Sequence, residues 1–224
     1  QLGLVVMDDP ESIMKCTNKV FLTELLNRHK VPVPKSLIFK KSDENWVDNV
    51  INTIGLPAVL KVPDGAFSLG VLKVKDRQTL IEQANKIFEH SALILAQAFM
   101  PTDYDWRIGV LNRQPIYACR YFMSRGHWQI YQHHQSGRVS SGDFDCMDLK
   151  MVPQQVLDAA TKAANLIGAG LYGVDLKEIE GKAYVIEVND NPSIDHGVED
   201  LFLGDLVYDR IMTEFLRRIQ LRGL

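Results

Sequence analysis

The residues best suited to chemistry are Asp175, Glu187 and Asn189, two carboxylates and an amide within the stretch GVDLKEIEGKAYVIEVN. Glu180-Gly181-Lys182 reads as a three-residue hairpin loop, with glycine supplying a positive φ. That register sets Asp175 opposite Glu187. Because strand side chains alternate, Asp175, Lys177, Glu187 and Asn189 then share one face, and Val174, Leu176, Tyr184, Ile186 and Val188 share the other. Two carboxylates held this close repel unless a cation lies between them or one takes up a proton. Oxygen-only donors suit Mg2+; the alternative is a solvated sheet face on which Lys177 neutralises its neighbours. The acids that follow, Asp190, Asp195, Glu199 and Asp200, read as solvated or helix-capping.

A second group of residues lies earlier. Leu60 to Val71 reads as a strand, a loop bounded by Gly65 and Gly70 and containing Ser68, then another strand. Such a loop either presents backbone N–H groups to phosphate or is an ordinary hairpin connection. No Gly-Lys-Ser/Thr and no helix follow it, which excludes a Walker A loop and a Rossmann fingerprint. Lys61, on an otherwise apolar strand, either reaches solvent from an edge or meets an anion in a cleft. Lys19, early in an amphipathic helix, reads on its own as a solvated lysine. Arg107 and Arg120 can brace phosphate or carboxylate through paired hydrogen bonds, or serve as surface ion-pair partners. His127, His133, His134 and Cys146 lack zinc-ligand spacing, and there is no nucleophile elbow or catalytic-cysteine setting.

The elements that must position these residues follow from periodicity. Helices are predicted from Asn18 to His29, from an N-cap at Ser42 to Gly55, from Asp76 to Glu89, from Pro153 to Ile167, and at the C-terminus. Strands are predicted at 36–40, 57–62, 70–75, 92–97, 106–111, 115–123 and 127–131, with Asn112-Arg113 as a turn and Ser136 to Asp148 as a loop. This is an α+β order, with a division near residue 95. A net charge of −3 excludes a broadly basic nucleic-acid-binding surface. No apolar run approaches the roughly 18 residues of a membrane span, and the start lacks a signal-peptide pattern. Cys16, Cys119 and Cys146, an odd number without close spacing, point to a reduced, cytoplasmic protein. The first residue is Gln1 and not Met, which suggests a piece of a longer chain.

The order of these features resembles the ATP-grasp ligases, most closely the RimK-like branch, from about Thr17 to about Leu221. The strongest motif is Val185-Ile186-Glu187-Val188-Asn189-Asp190-Asn191-Pro192. The resemblance implies two α+β lobes clamping a nucleotide between antiparallel sheets: 1–16 as a remnant of a preceding domain or linker, 17–95 as the N-terminal lobe and 96–224 as the C-terminal lobe. It implies that Lys19 and Lys61 hold the phosphates of ATP and that Gly65 to Gly70, with Ser68 where a glycine is usual, closes over them. Gln97, Ala98, Phe99 and Met100 would be the hinge that reads adenine, with Ala98 where Glu is common, and Asp105 would meet the ribose. Asp175, Glu187 and Asn189 would bind Mg2+, two ions with Glu187 bridging, Mn2+ being an alternative. Arg107 and Arg120 would steady the γ-phosphate or an acyl phosphate. The implied reaction joins a carboxylate to an amine of an amino acid, peptide or protein, with no nucleic-acid or membrane partner and with a homo-oligomer admitted. Rival readings are a ligase of the glutathione-synthetase or D-alanine-D-alanine kind, an ATP-binding regulatory module without turnover, and a phosphotransferase.

Overall fold

The computed structural model describes residues 4–64, 70–133 and 139–222. The chain forms two compact units: Thr17–Pro101, and Gln1–Cys16 together with Thr102–Leu224. Helix α1 (Pro10–Thr17) precedes the first unit, which contains α2 (Lys19–Arg28), β1 (Ser36–Phe39), α3 (Trp46–Thr53), β2 (Ala58–Lys61), β3 (Val71–Val74), α4 (Arg77–Ile87) and β4 (Ile94–Ala98). Its four strands form an antiparallel sheet in the order β1-β4-β2-β3. β4 is hydrogen-bonded on both sides, and the compact unit that holds it runs to Pro101.

One face of this sheet is greasy. Ala58, Leu60, Val74, Ile94 and Ala96 pack with Val50 of α3 and with Leu80 and Ala84 of α4. The Phe39 and Trp46 rings stack beside them at 5.1 Å. α4 starts at a capping box, with Asp76 accepting from the Thr79 backbone and Thr79 accepting from that of Asp76. α3 does not start at Ser42. Asp43 accepts from the Lys40 backbone N–H at 2.9 Å and closes a turn, and the helix begins at Trp46 after a left-handed Asn45.

The second unit is built on a five-stranded antiparallel sheet. After the first unit come β5 (Tyr104–Leu111), β6 (Gln114–Phe122), a separate pair β7 (Tyr131–His133) and β8 (Val139–Ser141), then β9 (Phe144–Met147), α5 (Gln154–Ile167), β10 (Leu171–Ile179), β11 (Lys182–Asn189) and α6 (Leu206–Arg222). The order in the large sheet is β11-β10-β5-β6-β9. The predicted turn is confirmed: Asn112 and Arg113 both have positive φ between Leu111 and Gln114. The stretch expected to be a loop, Ser136 to Asp148, contains β8 and β9, while the strand expected over 127–131 begins only at Tyr131.

α5 packs against β5, β6, β10 and β11 through Val156, Ala159, Ala160, Ala163, Ala164 and Ile167, all buried; its alanines allow close approach to the sheet. Ile108, Val174, Leu176, Val185 and Val188 are at most 1% exposed. Each such side chain contributes roughly 1.5–3 kcal/mol by leaving water. On the other face Tyr117 and Cys119 join a smaller core with Met7 and Val207 of α6. The expectation of unpaired cysteines fails here. β6 and β9 pair so that Cys119 lies opposite Cys146, and the two form a disulfide, while Cys16 is a buried free thiol.

Candidate functional site

The hairpin β10–β11 places the two carboxylates opposite each other, but not by the expected route. The connection is a two-residue turn, Glu180-Gly181, with φ of 51° and 72°, and Ile179 pairs with Lys182. This register alone would misalign Asp175 and Glu187 by one residue. A bulge at Ile186 restores it: Leu176 pairs with Val185, then Asp175 with Glu187. The bulge also exchanges faces on β11. Ala183 and Val185 turn to the core, and Tyr184, expected on the apolar face, pairs with Lys177 on the polar one.

Neighbouring strands complete the polar face. β5 pairs with β10 so that Arg107 lies opposite Asp175. Arg107 donates from Nε to Asp175 Oδ1 at 2.5 Å and from Nη2 to Oδ2 at 2.9 Å. Asn189 Nδ2 donates to Asp175 Oδ2 at 3.1 Å and to the Gly173 carbonyl at 3.1 Å. Burial works against the Arg107 charge, but Asp175 more than reverses this and holds the guanidinium above its ordinary value. Gly173 is required: a Cβ there would meet Pro192 Cβ at 2.8 Å and Arg107 Cδ at 3.2 Å. Beside them Lys177 Nζ donates to Asp105 Oδ1 at 2.5 Å and to Thr102 Oγ1 at 2.7 Å. Burial raises the Asp105 carboxyl against the pull of Lys177.

Arg120 does not join this group. Its register partner is Trp106, whereas Arg107 pairs with Cys119 and Asp105 with Tyr121. Alternation therefore sends Arg120 to the opposite face from Arg107 and Asp175. There it is bidentate with Asp145, at 2.9 and 2.5 Å, and lies 5.0 Å from the Tyr104 ring centroid. The expectation that Arg120 steadies a phosphate beside Arg107 is corrected by this register.

Residues not singled out from sequence do face the site. Tyr121 shares the Arg107 face, with the guanidinium 5.5 Å from its ring centroid, and its hydroxyl donates to Glu199. Glu199 and Asp200, expected to be solvated or capping, are 3% and 4% exposed. The β5–β6 register was the signal for Tyr121; nothing local in sequence marks Glu199 as buried.

Within the other unit, Lys61 and Gln97 lie on the sheet face away from α3 and α4, 8% and 5% exposed. Lys73, not singled out from sequence, joins that face through its pairing with Val59, and its Nζ lies 3.4 Å from the Phe99 ring centroid. Ala98 ends β4 and Met100 follows Phe99 in the connection to Pro101. Lys19 is 9% exposed in the first turn of α2, and its backbone N–H donates to Pro63 at 2.8 Å. Asn18 and Asp64 bridge the same two segments, so the start of α2 is tied to the chain following Lys61. Gly70, with φ of 74°, admits no side chain, since a Cβ would lie 2.8 Å from Val62 Cγ2. Gly65 and Ser68 lie outside the described residues.

Two carboxylates and one amide fit Mg2+, which binds through one or two carboxylates and fills its shell with water and phosphate oxygens. They would not make a closed, all-protein cage: among the described residues no three His, Cys, Asp or Glu side chains are grouped to hold a metal.

A pair of α+β units carrying these antiparallel sheets is the architecture of the ATP-grasp fold. The D-alanine–D-alanine ligase of Bacillus anthracis superposes with a TM-score of 0.75 over 96% of this chain and 71% of that one, at 15% identity. Residues 16–202 match the RimK-like ATP-grasp domain, and the chain belongs to that family. The alpha-aminoadipate–LysW ligase LysX of Saccharolobus solfataricus is 25% identical over 199 residues, 86% of this chain and 68% of that protein. A probable alpha-L-glutamate ligase of Aliivibrio fischeri is 25% identical over 99% of this chain and 72% of its own length. The chain thus spans about two thirds of the curated relatives it matches.

Proposed function

We propose that this chain is the nucleotide-binding and acyl-activating core of a Mg-ATP-dependent carboxylate–amine ligase that joins an amino acid to a small molecule, peptide or protein. The observation that carries the reading is the convergence of Asp175, Glu187 and Asn189, with Arg107, on one face of the β5–β10–β11 sheet. Family membership and relatives named as ligases of aminoadipate and of glutamate support it.

In this reading Asp175, Glu187 and Asn189 would hold Mg2+, as one or two ions. The metal, when bound, neutralises charge on the triphosphate and on the transferring phosphoryl group. Lys19 and Lys61 hold phosphate oxygens, and family resemblance gives Gly65, Ser68 and Gly70 a part in the same phosphate binding. Gln97, Ala98, Phe99 and Met100 present backbone groups and an aromatic face to the adenine, and Lys73 over Phe99 belongs with them. Asp105 meets the ribose or, through its bond to Lys177, orders the wall beside it. Arg107 braces the acyl phosphate with donors not engaged by Asp175. The lobes are 17–95 and 96–224 by resemblance, or divided after Pro101 by compactness.

A cytoplasmic setting is part of the proposal. No described helix is long and apolar enough to cross a membrane. The Cys119–Cys146 disulfide weighs in the other direction. Quenching intact cells in acid and alkylating the denatured protein decides: both cysteines alkylated without prior reduction supports a reducing compartment, and a pair alkylated only after reduction overturns it.

The function is tested by ADP release with Mg-ATP and a panel of amino acids, carboxylates and peptides, products being identified by mass. Substrate-dependent ADP and phosphate with an amide product is expected. Tight ATP binding without phosphate release would mark a regulatory module, and a stable phosphorylated product a phosphotransferase.

A further inference from the structure

We infer that Glu199 and Tyr121 are positioning residues that set the orientation of Arg107, and through it of Asp175. The inference rests on the ligase reading only for what Arg107 and Asp175 then do. Four observations carry it. Glu199 is 3% exposed and hydrogen-bonded on both oxygens: Oε2 accepts from the Asp195 backbone N–H at 2.8 Å, and Oε1 from the Tyr121 hydroxyl. A carboxylate this buried is stable only when its acceptors are engaged. The Tyr121 ring lies 5.5 Å from Arg107 Cζ, within cation–π range. Arg107 also crosses Gly173, where a Cβ would meet its Cδ at 3.2 Å, leaving little freedom in that direction. Finally, two donors of the guanidinium are spent on Asp175.

The consequence is a chain of orientation. The segment after Asn189 fixes Glu199, Glu199 fixes the rotation of Tyr121, and the Tyr121 ring with Gly173 fixes the plane of Arg107. An arginine fork discriminates by direction, so a tilted plane loses one of its paired bonds. Burial and the Glu199 carboxylate also hold the Tyr121 phenol well above its ordinary value, so that it stays neutral and keeps its donor. A merely structural clasp between β6 and the 195–200 segment would show the Tyr121–Glu199 bond too, but would leave Arg107 indifferent to it.

The experiment reads Arg107 directly. In a side-chain 15N spectrum of the full chain, the Arg107 Nε–H, assigned by its loss in Arg107→Lys, is expected to be protected from exchange. Tyr121→Phe and Glu199→Leu each raise its exchange by about tenfold, the equivalent of 1.4 kcal/mol, with backbone amides of β5 and β10 unchanged. The double variant does no more than either single one, because both break the same link. Unchanged Nε–H exchange in Tyr121→Phe, the milder variant, overturns the proposal even if the melting temperature falls. Activity separates the two readings: a wild-type chain that releases no ADP counts against the ligase, while the spectrum still decides the positioning.

Discussion

Arg107 and Asp175 face each other across β5 and β10, joined by two parallel hydrogen bonds of 2.5 and 2.9 Å, each side chain 20% exposed. Paired charge-assisted bonds fix direction as well as distance. Arg107→Lys keeps the charge and loses the fork. Its expected effect is a fall in ADP release of about tenfold or more, with a higher Mg2+ concentration needed for half-maximal rate, because Asp175 is no longer aimed. Arg107→Ala leaves a partly buried carboxylate without its partner and lowers stability by about 1–3 kcal/mol. Mg2+ titration of initial rates and urea unfolding check the two effects. Wild-type Mg2+ dependence in Arg107→Lys would show that the pair does not shape the metal site.

Glu187→Gln and Lys61→Ala test the proposed charges in the two units separately. Removing one charged group from a phosphoryl-transfer site costs a few kcal/mol at the transition state, or about 10²-fold in rate. Substrate-dependent ADP formation should fall at least that far in either variant, with unchanged circular dichroism and a melting temperature within a few degrees. Retained turnover in Glu187→Gln would remove it from the metal set.

How much of this could be read from sequence depends on which residues carried it. A three-residue loop sets Asp175 opposite Glu187; the structure reaches the same pairing with a shorter turn and a bulge at Ile186. Turn length and bulge are both single-residue shifts, and hydrophobic alternation constrains only their sum. Tyr184 shows the cost, assigned to the wrong face. Arg120 failed for a related reason: a basic residue on a strand looks equally suited to either face until its register with Trp106 is known. β9 is hidden in the sequence because it is only four residues long, it lies inside a polar, glycine-containing stretch, and its pairing with β6 is non-local. Glu199 was unreadable, since its burial depends on where the segment after Asn189 lies against β6. α3 starts later than a cap at Ser42 implies because Asp43 accepts from the Lys40 backbone and closes a local turn there.

Arg120 supplies a prediction that separates the two faces. It pairs with Asp145 and lies against Tyr104, Trp106 and Phe122, remote in register from the carboxylate face. Arg120→Lys should lower stability by about 1 kcal/mol through lost stacking and a lost bidentate pair. ADP release per folded molecule should stay within about twofold of wild type, since each tenfold in rate requires about 1.4 kcal/mol at the transition state. A rate loss beyond tenfold with unchanged stability would return Arg120 to the site.

Glu214 sets a pH dependence far from the site. It lies in α6 with its side chain 8% exposed, accepting from Arg217 at 2.7 Å and from Arg218 at 2.8 Å. Arg218 also donates to the Val6 carbonyl at 3.1 Å, so the cluster ties α6 to the N-terminal segment. The two Arg217 hydrogen bonds, and then the one from Arg218, hold the Glu214 carboxyl down at about 2 against burial, from an ordinary 4.5. A folded-state value below the unfolded one means that the charged form favours the native state. The contribution is therefore complete above about pH 4.5 and is lost as pH falls toward 2. Its size is about 1–3 kcal/mol, the lower figure applying if the half-exposed Arg217 is strongly screened. Urea midpoints for wild type and Glu214→Gln should differ most at pH 6–7 and converge as pH falls from 5 to 2.5. A difference that stays constant over that range would mean that Glu214 stabilises the fold by packing and not by charge.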